Sequence, residues 1–112
     1  MKLYADYIKE RLNRECEYTD HCFVAYNING KQISIIDYFC DEEKRGSGYM
    51  RKFMFKFMQD LKAEGYEEVF GFTDTTTPGW ERSERILIEY GFKKLEQTTE
   101  NYNNYMIKLE EI

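Results

Sequence analysis

Ile35-Ile36-Asp37-Tyr38-Phe39-Cys40-Asp41-Glu42-Glu43-Lys44-Arg45-Gly46-Ser47-Gly48-Tyr49-Met50 changes character twice along its length. Its first part is β-branched and aromatic, broken only by Asp37, and reads as a strand. A charged segment and two closely spaced glycines follow. From there Met50, Phe53, Met54, Phe57, Met58 and Leu61 recur at helical spacing, with Arg51, Lys52, Lys56, Gln59 and Lys62 on the opposite side. A strand that passes through glycines into a helix presents an anion site. The first helical turn carries amides without intrahelical partners and the positive end of the helix dipole. Glycine lets an anion approach the backbone closely, and Arg45 adds a charge that pairs with phosphate. The stretch is neither a P-loop, since no Gly-Lys-Ser/Thr follows, nor a dinucleotide fingerprint, since the third glycine and the downstream acid are missing.

Downstream of this stretch, Gly65 closes the helix and residues 68–73, with Val69, Phe70 and Phe72, read as a strand. Thr75-Thr76-Thr77-Pro78-Gly79 interrupts the chain at its single proline. A helix over 80–90 follows, with Ile86, Leu87 and Tyr90 pointing inward and Gly91 as its cap. Residues 92–98 and 102–109 read as closing strands joined at Glu100-Asn101. Upstream, residues 22–28 and 31–40 form two strands around Asn29-Gly30, a turn pair in which both residues tolerate positive φ. The second strand is apolar on both faces toward its end, which predicts a central strand covered on both sides. Tyr4, Ile8 and Leu12, with Tyr7 beside them, predict an amphipathic first helix, and polar residues 15–20 a loop. This order defines an α/β (α+β) domain with a mixed, partly antiparallel sheet. The strand-helix-strand unit from Ile33 to Thr73 should pair in parallel.

The chain has 112 residues, 42% hydrophobic and 33% charged, which fits one globular domain over 1–112. Aromatic residues reach 17%, so rings build much of the core. A net charge of −5 disfavours nucleic-acid binding, which needs cationic surface, and suits a basic partner. No apolar run reaches membrane-spanning length and no leader pattern precedes Met1-Lys2-Leu3-Tyr4, so the expected location is the cytoplasm, with no membrane partner. Three cysteines, Cys16, Cys22 and Cys40, argue against a disulfide framework. With His21 they would make four zinc ligands, but no C-x-x-C pair is present and no metal is expected.

The stretch 35–50 resembles the central motif of the GCN5-related N-acetyltransferases (GNAT), a strand followed by [Gln/Arg]-x-x-Gly-x-[Gly/Ala]. Arg45 and Gly48 match its first and fourth positions, Gly46 matches the Arg-Gly-x-Gly form, and Met50 departs from the last position. Ile86-Leu87-Ile88-Glu89-Tyr90-Gly91-Phe92 is similar to the family's second motif, which closes in Gly-Phe. The likeness runs from residue 22 to 109, with a shortened N-terminal part. It implies an acyl-coenzyme A N-acyltransferase fold and an N-acetyltransferase that uses acetyl-coenzyme A as co-substrate. The acceptor would be an amine of a small molecule, a protein lysine or a protein N-terminus. Carried over, Phe39 and Cys40 supply strand contacts to the pantetheine arm. Arg45, Gly46, Ser47, Gly48 and Tyr49 cradle the pyrophosphate, beside Met50.

Amine acetylation needs a group that takes a proton and a way for the thiolate to leave. Asp37, a carboxylate expected to be partly buried in an apolar strand, is the candidate base. The family's usual tyrosine acid corresponds to Leu87, which has no proton to give. Tyr90, on a neighbouring face of the same helix, is the candidate replacement, although it also suits core packing. Asp74 and Trp80 flank the expected thiol position. The intact glycine loop favours an enzyme. Leu87 and the short N-terminus favour a degenerate relative that binds coenzyme A or a protein partner. The aromatic strands are also compatible with a homodimer.

Overall fold

The computed structural model describes residues 1–96 and 99–112. Its elements are α1 (Lys2–Leu12), β1 (Glu15–Tyr18), β2 (Cys22–Asn29), β3 (Gln32–Cys40), a short 3-10 turn (Glu42–Lys44), α2 (Tyr49–Ala63), β4 (Glu68–Asp74), α3 (Trp80–Glu89), β5 (Lys93–Lys94), β6 (Tyr102–Lys108) and a closing 3-10 turn (Leu109–Glu111). They form a six-stranded sheet in the order β1-β2-β3-β4-β6-β5. The β3–β4 pair is parallel, joined through α2 as expected, and the other pairs are antiparallel.

One face of the sheet carries the main core. Val24, Tyr26, Ile33, Ile35, Val69, Tyr105 and Ile107 alternate along their strands onto this face. There they meet Met54, Phe57, Met58 and Leu61 of α2 and Leu87 of α3. The helical spacing therefore reports the buried face of α2 correctly, with Met50 and Phe53 packed at its margin. Tight caps close both helices. Tyr66 N bonds Leu61 O at 3.1 Å and Phe92 N bonds Leu87 O at 3.0 Å, each just past a glycine. On the opposite face α1 brings Tyr4 to Phe23, ring centroids 5.2 Å apart. The α1 stripe is only partly used: Ile8 is buried, whereas Tyr4, Tyr7 and Leu12 stay exposed.

Four expectations need correction. Residues 15–18 are an edge strand, not loop, because backbone pairing with Tyr26–Phe23 outweighs a polar composition. The β2–β3 turn is Gly30-Lys31, with Asn29 still paired to Gln32, and only Gly30 takes positive φ (62°). The strand expected over 92–98 is reduced to Lys93–Lys94, with Gln97 and Thr98 outside the described residues. Finally, β3 is central but is not covered on both faces at its end, where Asp37 and Phe39 are exposed.

The reason for that exposure lies in the register. Asp37 opposes Ala25 and Ile35 opposes Tyr26, so Ile36 is an extra residue on β3, a bulge. Strand alternation from Ile33 and Ile35 would otherwise aim Asp37 and Phe39 into the core. The bulge reverses the phase: Tyr38 and Cys40 turn to the core face, and Asp37 and Phe39 to the face shared with Phe23.

Candidate active site

The parallel pairing of β3 with β4 is short. It runs only through Gln32, Ile33 and Ser34 opposite Glu68, Val69 and Phe70. Beyond it β3 continues to Cys40 beside β2, and β4 continues to Asp74 beside β6. The two strands separate, and a cleft of about 830 Å³ opens between them. Residues 35–40 thus present one edge of backbone amides and carbonyls toward the cleft instead of toward a neighbouring strand. Ile35, Ile36, Phe72, Ile86 and Leu87 give the cleft apolar walls, and Trp80 and Pro78 stand on the α3 side.

The glycine loop lies at the cleft mouth. Gly48 is the N-cap of α2 with φ 85°, and Gly79 is the N-cap of α3 with φ 86°. Neither N-cap glycine supplies a side-chain cap. The Tyr49 amide donates to the Ser47 hydroxyl at 3.3 Å, and Lys52 N makes the first helical bond, to Gly48 O at 3.1 Å. Among the described residues the amides of Met50 and Arg51 find no acceptor, so they remain donors for an anion. A Cβ added at Gly46 or Gly48 would meet nothing within 4 Å, so the loop faces open space.

Charge converges on the same place. Lys44, Arg45, Arg51, Arg82 and Arg85 line the cleft, against Asp37, Asp74 and Glu89. A chain of net charge −5 therefore keeps a cationic cleft. Sequence reading missed Arg51, Arg82 and Arg85, which are spread over two helices and meet only in the fold. Arg45 is held in place: its Nε donates to the Cys40 carbonyl at 2.9 Å, and its guanidinium lies 5.1 Å from the Phe39 ring centroid.

The remaining candidates are distributed as follows. Phe39 borders the cleft and stacks on Phe23. The Cys40 side chain turns toward Cys22, so its strand contact is made by backbone. Tyr49 bonds Thr19 through its hydroxyl at 3.1 Å and meets His21 edge-on. Met50 packs against the core while bordering the cleft. Asp37 borders the cleft but is exposed, which corrects the expectation of partial burial. Its Oδ1 accepts from the Tyr38 amide at 2.9 Å. Tyr90 is buried against Phe55, and desolvation, followed by nearby Tyr38, pushes its hydroxyl up to about 12. Such a group keeps its proton through neutral pH and suits packing better than titration. Tyr38, unmarked in the sequence, lines the cleft, and burial raises the pKa of its hydroxyl, with nearby Ser83 opposing the rise. Asp74 is lowered by the hydroxyl and amide of Thr76, which tie it into the turn after β4. The zinc quartet is not assembled: Cys16 opposes Ala25 and faces away from Cys22 and Cys40.

This combination, a mixed sheet split between two parallel strands with a glycine loop and a helix N-terminus at the split, is an α/β architecture opened at the centre of its sheet. Specifically, the chain has the GNAT fold. It is similar to the PaiA N-acetyltransferase of Thermoplasma acidophilum in complex with coenzyme A, with a TM-score of 0.72 at 14% identity over 96% of this chain and 69% of that one. It is also similar to the ribosomal-protein-S18-alanine N-acetyltransferase of Escherichia coli, with a TM-score of 0.69 at 11% identity over 96% and 76%. A GNAT-family acetyltransferase of Staphylococcus aureus gives 0.65 at 11% identity over 79% and 59%. The chain spans 56–65% of the length of four structures it matches, the latter included. No protein-family model matches the sequence, and no curated protein matches it.

Proposed function

We propose that the protein is an N-acetyltransferase that moves an acetyl group from acetyl-coenzyme A to an amine of a small molecule, a protein lysine or a protein N-terminus. The observation that carries this reading is the split between β3 and β4 with the glycine loop at its mouth. The residues fit coenzyme A. Open space at Gly46 and Gly48, the Met50 and Arg51 amides and the surrounding cations suit a polyphosphate head. The exposed edge of residues 35–40 and the apolar walls suit a slender amide-bearing arm. The coenzyme supplies an activated thioester when bound.

In this reading Phe39 and Cys40 pair through backbone with the arm. Arg45, Gly46, Ser47, Gly48 and Tyr49 hold the phosphates, and Met50 closes the root of the loop. Asp37, exposed at the bulge, takes the amine proton directly or through water. Tyr90 holds the end of α3, and the thiolate leaves toward solvent.

A second reading, a coenzyme A-binding or protein-binding relative without turnover, is favoured by one observation: Leu87, at the position of the usual tyrosine, is buried and packs over Gly71, with no proton to give. The experiment that separates the two is binding of coenzyme A by thermal shift and calorimetry, followed by labelled acetyl transfer to a panel of amines. Binding with transfer supports the enzyme. Binding without transfer supports the second reading. No binding removes both.

A further inference from the structure

Cys22 and Cys40 lie directly opposite each other on β2 and β3, and their sulfurs are 3.3 Å apart. The neighbouring pair, His21 and Asp41, is joined by Asp41 N to His21 O at 2.7 Å. Alternation then makes Cys22–Cys40 a non-hydrogen-bonded pair, in which Cα atoms stand roughly 4.5 Å apart and side chains lie closest. That spacing falls within the range a disulfide bridges. Both side chains are on the core face, whereas Cys16 is on the other face and cannot reach them. The two thiols differ in access: Cys22 is buried, and Cys40 is partly exposed and borders the cleft.

We propose that Cys22 and Cys40 are a peroxide-responsive thiol pair that closes reversibly into a disulfide at the root of the glycine loop. Cys40, the accessible sulfur, attacks hydrogen peroxide as its thiolate. The O–O bond breaks, hydroxide leaves and takes up a proton as water, and Cys40 becomes a sulfenic acid. The Cys22 sulfur then attacks the Cys40 sulfur and the S–O bond breaks. The departing hydroxide takes the Cys22 proton as a second water. Two thiols and one peroxide thus give one disulfide and two waters, and a dithiol restores the pair. Burial and the Cys40 partner push the Cys22 thiol up to about 12, consistent with Cys22 as the resolving group and not the first to react. The bond would tie β2 to the strand end whose Cys40 carbonyl anchors Arg45. It does not depend on coenzyme A being the ligand of the cleft.

The test treats the folded chain with stoichiometric hydrogen peroxide, alkylates remaining thiols and maps peptides without reduction. The expected result is a peptide linking Cys22 to Cys40, Cys16 alkylated, and full recovery of three free thiols after dithiothreitol. A Cys22→Ala variant, which trims a buried side chain without adding a polar atom, should instead accumulate a dimedone-trappable sulfenic acid at Cys40. Alkylatable Cys22 and Cys40 after peroxide has consumed Cys16, disulfides only between Cys16 of two chains, or no dimedone adduct at Cys40 in the variant would each overturn the proposal.

Discussion

Gly48 and Gly79 begin α2 and α3 in nearly the same left-handed conformation, φ 85° and 86°, and both border one cleft. Their surroundings are equally open, since a Cβ at either meets nothing within 4 Å. They differ in what their helices offer. Among the described residues the α2 terminus leaves the Met50 and Arg51 amides without an acceptor, whereas in α3 the Trp80 and Arg82 amides already bond Thr77 O and Gly79 O at 3.3 and 3.1 Å. Anion binding should therefore depend on Gly48 more than on Gly79. Both Gly48→Val and Gly79→Val should lose about 1–3 kcal/mol of stability to backbone strain, measured by denaturant unfolding. Only Gly48→Val should abolish coenzyme A binding in calorimetry, and equal losses in the two variants would refute the distinction.

Arg45→Ala should weaken coenzyme A binding less than Gly48→Val does. Arg45 already spends Nε on the Cys40 carbonyl and its face on Phe39, and removing it leaves the loop amides in place. The expected loss is about tenfold at low ionic strength, a single charge-assisted contact, and it should shrink as salt rises. Titrations of both proteins at two salt concentrations check this. An unchanged affinity at low salt removes Arg45 from the phosphate contacts.

The glycine loop and α2 were legible in the sequence because each rests on local chemistry: glycines where φ is positive, and apolar side chains at helical spacing. The edge strand β1 was not. Glu15 and Glu17 make it look like a loop, yet charge is what an unpaired sheet edge favours, as Lys93 and Lys94 show at the other edge in β5. The bulge at Ile36 left no trace in composition, and it alone decides that Asp37 faces outward. Arg51, Arg82 and Arg85 could not be grouped from the sequence, since their meeting depends on how α2 and α3 are placed on the sheet.

The polar cluster under α3 predicts a pH dependence of stability. The Tyr105 hydroxyl, fully buried, meets both the Glu84 carboxylate and Thr73, the latter at 2.9 Å, while Lys94 stands 3.2 Å from Glu84. The Tyr105 bond, with help from Lys94 and Asn103, lowers the Glu84 pKa below its ordinary 4.5. A carboxyl lowered by folding contributes stability that is complete above the unfolded pKa and is lost as pH falls through the folded one. Unfolding free energy should therefore drop below about pH 4.5, and Glu84→Gln should flatten that drop. Tyr105→Phe should cost roughly 1–3 kcal/mol at neutral pH, the scale for losing a buried hydrogen bond to a charged group. Identical pH profiles for the parent and Glu84→Gln would contradict the assignment.

The final prediction concerns proton transfer at the bulge. Asp37 stands on the outward face of β3 at the point where that strand has left β4. Its Oδ1 accepts the Tyr38 amide at 2.9 Å, a bond that the oxygen of an asparagine also makes. Asp37→Asn should accordingly keep the fold, the bulge and coenzyme A affinity while removing the ability to accept a proton. If the amine is deprotonated by Asp37, turnover should fall by about a hundredfold or more, the scale of a general base. The residual rate should rise with pH, because more of the amine is then neutral before it reaches the thioester. Tyr90→Phe provides the contrast. With its hydroxyl held near 12 it carries no charge change across neutral pH, so its loss should leave the shape of the pH profile intact. Turnover against pH for the parent and both variants, with coenzyme A affinity measured in parallel, decides the matter. Matching rates for parent and Asp37→Asn across the range would exclude Asp37 and return deprotonation to water. A flattened profile in Tyr90→Phe would show instead that the buried tyrosine titrates during the reaction.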